Sequence, residues 1–158
     1  MIVKTIIFED FTNYKKPSMV IGMPYCSFKC NKECGEPVCQ NSDLATASDK
    51  DIPIRLIVGQ YLGNDISQSI IFQGLEPFDS WDELLECISI FRKYTQDDIV
   101  IYTGYTEEEA SFWISFLEGV FNNIIIKFGR FIPNQKSHFD PVLEVDLASD
   151  NQYAKKIS

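Results

Sequence analysis

Apolar residues along this chain fall into short runs that alternate with segments of helical periodicity. The runs are rich in β-branched residues and are bounded by turn residues, which is typical of strands. They cover residues 2–8, 18–24, 67–72, 98–105 and 123–129. Segments with apolar residues at helical spacing follow three of these runs, at residues 53–64, 79–94 and 106–120. Strands that alternate with helices of ~10–15 residues form βαβ units, so the pattern predicts an α/β fold with a mostly parallel sheet.

Signals at the helix ends support these helices. Pro53 lies in the first turn of the first helix and Gly63 lies near its end, which is where each residue type is favoured. The second helix begins with an Asp or Ser cap and has acidic residues in its first turn and basic residues in its last. In the third helix, Thr106 and Glu109 stand at the two positions of a capping box. From residue 130 the chain is polar and irregular, with one short candidate strand in "VLEVDL".

The length of the chain limits the size of such a sheet. The chain has 158 residues, enough for a single domain, residues 1–158, with its own core. A complete eight-unit βα barrel takes ~250 residues, so this chain can supply about half of one. Chemistry in such sheets lies at the carboxyl ends of the strands. The loops expected at that edge are the cysteine-rich loop, "QGLEP", "TGYTEEE" and "GRFIP".

Charge and hydropathy argue against several classes of partner. The net charge is −9, and the densest basic segment, "NYKKP", has only two lysines and is typical of a solvated turn. A nucleic-acid binder needs a basic face, so we expect no nucleic-acid partner. No apolar run approaches the ~20 residues of a membrane span, so we expect no membrane partner. The first residues, "MIVKTIIFEDF", lack the longer apolar region of a secretory signal, and a cytoplasmic location is expected.

Four of the five cysteines lie in one loop, with the spacing Cys26-x3-Cys30-x3-Cys34-x4-Cys39. Cytoplasmic thiols stay reduced, so clustered cysteines there are typical of metal ligands rather than disulfides. A structural zinc site usually combines two separated cysteine pairs, whereas these thiols share one loop. Iron–sulfur clusters also take thiolate ligands. A four-iron cluster held by three cysteines keeps one iron open to a cofactor. A small zinc-stabilised loop is the alternative. Cys87, at an apolar helix position, is expected to be buried.

The cysteine loop resembles the signature of the radical S-adenosylmethionine (radical SAM) enzymes, because "CSFKC" has the same Cys-x3-Cys start with an aromatic residue, Phe28, inside it. In that superfamily the third cysteine follows after two further residues, but Glu33 occupies this position here. The third ligand is therefore Cys34 or Cys39. The resemblance favours Cys39, because Val38 before it and "CQN" from it onward fit the motif better. Cys34 then lies in an insertion, as a spare thiol or a fourth ligand. The implied cluster ligands are Cys26, Cys30 and Cys39.

Further segments resemble motifs of the same superfamily. "FQGLEPF" is similar to its "GGEP" turn, whose backbone and glutamate receive the amino group of the cofactor's methionine moiety, although Leu75 replaces the second glycine. "YTGYTEEE" is similar to a stretch in the activating proteins of anaerobic ribonucleotide reductase. The tail, "GRFIPNQ…LASDNQ", resembles the ending of those proteins, with Glu144 where a glycine is expected. The resemblance covers nearly the whole chain and implies these cofactor-binding residues: Phe28, Gln73, Gly74, Leu75, Glu76, Pro77 and Thr103.

The resemblance also implies a fold, a reaction and partners. The fold is a partial (half to three-quarter) βα barrel with a mostly parallel sheet. The reaction is reductive cleavage of S-adenosylmethionine at a 4Fe-4S cluster, which yields methionine and a 5′-deoxyadenosyl radical. This radical takes a hydrogen atom from a glycine of an anaerobic ribonucleoside-triphosphate reductase, the expected protein partner. A flavodoxin- or ferredoxin-like protein is the expected electron donor.

Two other hypotheses stay open. The chain is short for a radical SAM enzyme that acts on another protein, a peptide or a small molecule, because many of those have an additional domain or cluster. A non-catalytic zinc-binding or redox-sensing adaptor would bind zinc or no metal and would be indifferent to changes at Glu76. The sequence offers no Ser–His–Asp or Cys–His arrangement, and the single histidine, His138, is expected at the surface.

Overall fold

A mixed six-stranded sheet organises the chain in the computed structural model, which describes all residues, Met1–Ser158. The strands, in chain order, are β1 (Ile2–Val3), β2 (Thr5–Asp10), β3 (Ser18–Met23), β4 (Lys50–Asp51), β5 (Ser69–Gly74), β6 (Asp98–Tyr102), β7 (Ile124–Phe128), β8 (His138–Asp140), β9 (Val145–Leu147) and β10 (Tyr153–Lys156). The large sheet has the order β10-β7-β6-β5-β3-β2. Its central strands, β3, β5, β6 and β7, pair in parallel. The edge strands β2 and β10 run antiparallel to their neighbours.

Helices cover one face of this sheet. The helices are α1 (Lys29–Cys34), α2 (Ser42–Thr46), α3 (Ile54–Leu62), α4 (Trp81–Phe91) and α5 (Ser111–Val120), with a 3-10 turn at Pro77–Ser80 before α4. The connections between successive parallel strands contain α3, α4 and α5, whose apolar sides pack against the sheet. Phe72 of β5, Phe91 of α4 and Phe128 of β7 are all fully buried there. The larger of the two cores therefore lies between helices and sheet, as the βαβ pattern predicts.

Irregular chain, rather than helices, covers the opposite face. Central strands contribute a second buried cluster to this face: Val20, Ile71, Val100 and Ile125. The edge strand β10 adds Ala154, and the segments that pack on this face contribute Tyr14, Leu143 and Leu147. Tyr14 belongs to "NYKKP", so this segment is not simply a solvated turn, although its two lysines form ion pairs at the surface.

Most predicted strands and helices are confirmed, and the corrections lie at the edges of the sheet. Residues 2–8 divide into β1, which pairs with β4 in a separate small sheet, and β2, which forms an antiparallel edge. The tail is more regular than expected, because β8 and β9 form a hairpin and β10 becomes the sixth strand of the main sheet. The predicted capping box is present: the Thr106 N–H donates to Glu109 at 2.9 Å and the Glu109 N–H donates to Thr106 at 3.2 Å. The helix itself begins later, at Ser111.

The main sheet is open, because β2 and β10 form its two edges and do not pair with each other. Its mixed α/β character and its parallel centre agree with the expected class. A partial barrel stays a prediction. None of the helices has the length and apolar character that crossing a membrane requires.

Candidate functional site

Loops at the carboxyl ends of the parallel strands surround a cavity of about 370 Å³. The loop after β3 provides Cys26, Cys30 and Cys39. The other strand ends and the turns after them provide Gln73, Gly74, Leu75, Glu76, Thr103, Gly104, Tyr105, Lys127, Gly129 and Arg130. Segments that are far apart in sequence therefore meet in one space, at the edge where open α/β sheets bind their ligands.

The first of these loops turns sharply at Phe28 before it forms the short helix α1. Phe28 has a φ of 52°, in the left-handed region, and Gly35 ends the helix in the same region with a φ of 72°. The Phe28 N–H donates a hydrogen bond to Cys26 Sγ at 3.2 Å, which orients this sulfur. None of the residues of α1 is buried, so polar contacts rather than a core hold this helix at the site.

Asn31 brings the fourth cysteine of the loop back to the second. Its Oδ1 accepts hydrogen bonds from the Val38 and Cys39 N–H groups, both at 2.9 Å. Burial raises the pKa of the Cys30 thiol, and the neighbouring Cys39 raises it further. Cys34, at the far end of α1, does not line the cavity. The structure therefore groups Cys26, Cys30 and Cys39 and leaves Cys34 outside.

The end of β5 approaches the first loop so closely that only glycine fits there. Gly74 has a φ of 93°, and a Cβ at this position would lie 2.7 Å from Leu44 Cδ2 and 3.2 Å from Gly22 Cα. The Gly74 carbonyl accepts a hydrogen bond from Asn41 Nδ2 at 2.6 Å. Asn41 is the last residue of "CQN", so this asparagine fastens the end of the cysteine loop to β5.

Glu76 joins the second and third loops through its carboxylate. Oε1 accepts hydrogen bonds from Thr103 Oγ1 at 2.7 Å and from the Phe78 N–H at 3.1 Å, and Oε2 accepts one from the Gly104 N–H at 2.8 Å. Only 7% of Glu76 is exposed. Burial raises its pKa to about 7, although the three donors favour the ionised form and oppose this rise. The carboxyl therefore changes charge close to neutral pH while it lines the cavity.

A buried lysine lies on the same side of the site. The Lys127 side chain is in β7, and its Nζ donates to the Gly129 carbonyl at 2.8 Å. Burial lowers the pKa of Lys127 to about 8, and the negative charge of Glu76 opposes this change. The site thus pairs a carboxyl of raised pKa with an ammonium of lowered pKa, an arrangement that is common at functional sites.

A charged network ties α1 to the third and fourth loops. Glu109 accepts two hydrogen bonds from Arg130 Nη2, at 2.7 and 2.8 Å, and one from Lys29 Nζ at 3.3 Å. Arg130 Nε also lies 3.5 Å from Glu33 of α1. The hydrogen bond from Arg130 is the main reason why the pKa of Glu109 is lowered to about 2. Since Lys29 directly precedes Cys30, this network fixes the helix that holds the second thiol.

A family model for the 4Fe-4S single cluster domain matches residues 18–144. The match begins with β3, spans the cysteine loop and all the parallel strands, and ends directly before β9. This chain belongs to the 4Fe-4S single cluster domain family. Membership of the 4Fe-4S family favours the iron–sulfur interpretation of the cysteine loop over a zinc-stabilised loop. No curated protein and no solved structure matches the chain.

The thiols at the cavity fit the cluster that defines the 4Fe-4S family. Burial raises the pKa of Cys26 to about 11, against the Phe28 amide, which lowers it. Binding to iron would therefore release the thiol protons. No three Cys, His, Asp or Glu side chains converge closely enough to share a single ion. A 4Fe-4S cluster does not require this, because each thiolate ligand binds a different iron.

Five of the seven cofactor-binding residues expected from the sequence line the cavity: Gln73, Gly74, Leu75, Glu76 and Thr103. The other two, Phe28 and Pro77, do not, and Pro77 is instead buried at the start of the 3-10 turn. Glu144 has a φ of 59°, the conformation that favours the glycine expected at its position. His138 is half-buried in β8 with no hydrogen-bond partner for Nδ1, so it is less exposed than the surface position expected from the sequence.

Sequence reasoning missed several polar residues of the site: Asn31, Asn41, Lys127 and Arg130. A lysine inside the apolar run "NIIIKFG" was the one available signal for Lys127, because a charged residue in a buried strand needs a specific partner. The two asparagines lie in irregular chain, where no periodicity indicates which backbone groups a side chain will reach.

Proposed function

We propose that this 4Fe-4S protein is a radical SAM activase, which generates a glycyl radical on an anaerobic ribonucleoside-triphosphate reductase. One observation supports this proposal above all. Cys26, Cys30 and Cys39 line the same cavity as the two turns that resemble cofactor-binding motifs of the radical SAM superfamily. A loop that only bound zinc for stability would have no need of these turns beside its thiols.

In this proposal Cys26, Cys30 and Cys39 would hold the cluster. When bound and reduced, the cluster would supply the one electron for reductive cleavage of S-adenosylmethionine, which is the source of the radical that an activase uses to take a hydrogen atom from the glycine. We propose a flavodoxin- or ferredoxin-like protein as the electron donor. The residues of the chain bind the cofactor, orient it and exclude water.

The turn after β5 is suited to the amino group of the cofactor. Gly74 lines the cavity, and its φ of 93° gives the backbone a turn there that other residues rarely adopt. Glu76 ionises as the pH rises through neutrality, since its pKa is about 7, and a carboxylate attracts an amine. Leu75, which stands where the related motif has a glycine, is 6% exposed and lines the cavity, so it adds an apolar contact.

An open sheet suits a protein substrate better than a closed one does. The edges β2 and β10 leave the main sheet unclosed. We propose that the sheet forms a partial barrel and that a glycine-containing loop of the partner reaches the cavity through the open side. A closed barrel would favour a small molecule instead.

Anaerobic reconstitution with iron and sulfide tests the enzyme class. We expect about four irons per chain and an electron paramagnetic resonance spectrum of the reduced protein that changes when S-adenosylmethionine is added. Cys26→Ala should lose the cluster. Cys87→Ala is the matched control, because Cys87 is buried in α4 and does not line the cavity. Stoichiometric zinc without sulfide, and no response to the cofactor, would refute the proposal.

A second measurement tests the proposed partner. The reduced, loaded protein is mixed with an anaerobic ribonucleotide reductase and S-adenosylmethionine, and a glycyl radical signal on the reductase is expected. Cleavage of the cofactor without that signal on the reductase would reject this partner and would favour a radical SAM enzyme with another substrate.

A further inference from the structure

We infer that Asn31 is a positioning residue that selects Cys39, rather than Cys34, as the third cysteine ligand of the cluster. The inference rests on the cluster and ligand assignment of the proposed function, and it does not depend on the cofactor or on the partner. It concerns a part of the loop in which this chain departs from the spacing of the motif that it resembles.

Cys34 and Cys39 compete for the same role. Cys34 follows Cys30 by four residues in α1, so both side chains lie on the same face of that helix. Cys39 is farther away along the chain, beyond the left-handed turn at Gly35. Loop-closure entropy alone therefore favours Cys34 as the neighbour of Cys30, since the shorter loop is less costly to close. In the structure, however, Cys39 lines the cavity and Cys34 does not.

Hydrogen bonds to Asn31 explain this reversal. Asn31 directly follows Cys30, and its Oδ1 accepts the N–H groups of both Val38 and Cys39 at 2.9 Å. The backbone groups of residues 36–40 form no other hydrogen bond, and residues 35–37 are exposed. The Cys39 side chain also contacts the Cys30 thiol, but the bonds to Asn31 are the ones that hold the backbone of Cys39 beside Cys30.

Variants of Asn31 separate its acceptor from its shape. Asn31→Asp keeps an oxygen that can accept both N–H groups, whereas Asn31→Leu has a similar size and no acceptor. Lys32→Leu is the matched control, because Lys32 is the next residue of α1, is exposed and forms no side-chain hydrogen bond. Each variant is made in three backgrounds: the wild-type chain, Cys34→Ala and Cys39→Ala.

The measurements are iron and sulfide content after anaerobic reconstitution and the rate at which a chelator removes iron. In the wild-type background, Cys34→Ala should retain the cluster and Cys39→Ala should release it at least about tenfold faster. Asn31→Leu should reduce this difference to less than about threefold, because neither Cys34 nor Cys39 is then held beside Cys30 in preference to the other. Asn31→Asp and Lys32→Leu should leave the difference unchanged. If Asn31 had a purely structural role, its replacement by leucine would speed the release of iron equally in the Cys34→Ala and Cys39→Ala backgrounds.

Several results would overturn the inference. One is an undiminished difference in the rate of iron release between Cys34→Ala and Cys39→Ala in the Asn31→Leu background. Another is an Asn31→Asp variant that reduces this difference as much as Asn31→Leu does. Circular dichroism checks folding. If Asn31→Leu does not fold, Asn31→Ala takes its place. If neither variant folds, Asn31 supports the whole fold and the inference is overturned. A wild-type chain that takes up no cluster overturns both the proposed function and this inference. A cluster whose spectrum does not change when S-adenosylmethionine is added refutes only the radical SAM function.

Discussion

Replacing Glu76 with glutamine should remove a pH dependence of stability that the wild-type chain owes to this one carboxyl. Burial raises the pKa of Glu76 from its ordinary 4.5 to about 7 in the folded chain. Between these two pH values the folded chain keeps a proton that the unfolded chain has lost. The free energy of unfolding of the wild-type chain should therefore fall as the pH rises through this window and should level off above it.

The size of the effect follows from the two pKa values. Each pH unit of difference corresponds to ~1.4 kcal/mol, so Glu76 should account for a loss of about 3 kcal/mol across the window. Glu76 is only 7% exposed, so solvent screens its charge weakly. Glutamine cannot ionise, so the variant lacks this loss. The variant also presents an amide group to the Thr103 hydroxyl and the Gly104 N–H, and one mismatched hydrogen bond costs ~1 kcal/mol at every pH.

The assay is urea unfolding of the cluster-free, reduced chain at several pH values from 4.5 to 8. The quantity to compare is the difference in unfolding free energy between wild type and Glu76→Gln, because titrations common to both chains cancel in it. Glu86→Gln is the matched control, since Glu86 is an exposed residue of α4. The difference should move in favour of Glu76→Gln by about 3 kcal/mol over the window, while the control stays flat.

Two outcomes would contradict this reasoning. A flat difference would mean that burial does not penalise the charge of Glu76. In the same assay extended below pH 4.5, a difference that moves in favour of the wild type as the pH rises would mean that the donors from Thr103, Gly104 and Phe78 hold the carboxylate ionised. In that case hydrogen bonding would dominate over burial at this site.

Other substitutions test the ligands, the backbone and the core. Cys39→Ala should lose its iron and sulfide at least about tenfold faster than the wild type in the chelator assay while Cys34→Ala should not, and the reverse result would show that the third ligand is misassigned. Gly129→Ala should destabilise the chain by ~1–3 kcal/mol in urea unfolding, because φ is +94° and a Cβ would lie 2.9 Å from the Asn151 carbonyl oxygen. Gly119→Ala, in α5 with open space around it, should instead stabilise the chain by ~0.5–1 kcal/mol, and equal effects would contradict the strain argument. Phe72→Ala should cost ~3–5 kcal/mol, since Phe72 is fully buried in the main core, and a loss below ~1 kcal/mol would mean that the core collapses around the cavity.

The central sheet was predictable because local sequence determines it. The centres of its apolar runs, such as residues 70–72 and 124–126, are apolar and mostly β-branched, as strands buried on both faces tend to be. The edges were harder. β10 has one buried residue, Ala154, among exposed ones, so its sequence gives no strand signal. Its register against β7 depends on long-range pairing, and the same holds for the antiparallel direction of β2.

The motifs predicted which loops meet, but they did not predict what each side chain does there. The sequence motif predicts that Glu76 is a direct partner of the cofactor's amino group. In the structure its carboxylate already accepts hydrogen bonds from Thr103, Gly104 and Phe78, so it also fixes the third loop against the second. A loss of cofactor binding in Glu76→Gln would therefore have two explanations. Amide hydrogen exchange at Phe78 and Gly104 separates them, because both N–H groups donate to the Glu76 carboxylate. If Glu76 acts mainly by direct contact, Glu76→Gln should lose cofactor binding while exchange at these two amides stays slow, whereas a role in loop geometry predicts that both amides exchange faster.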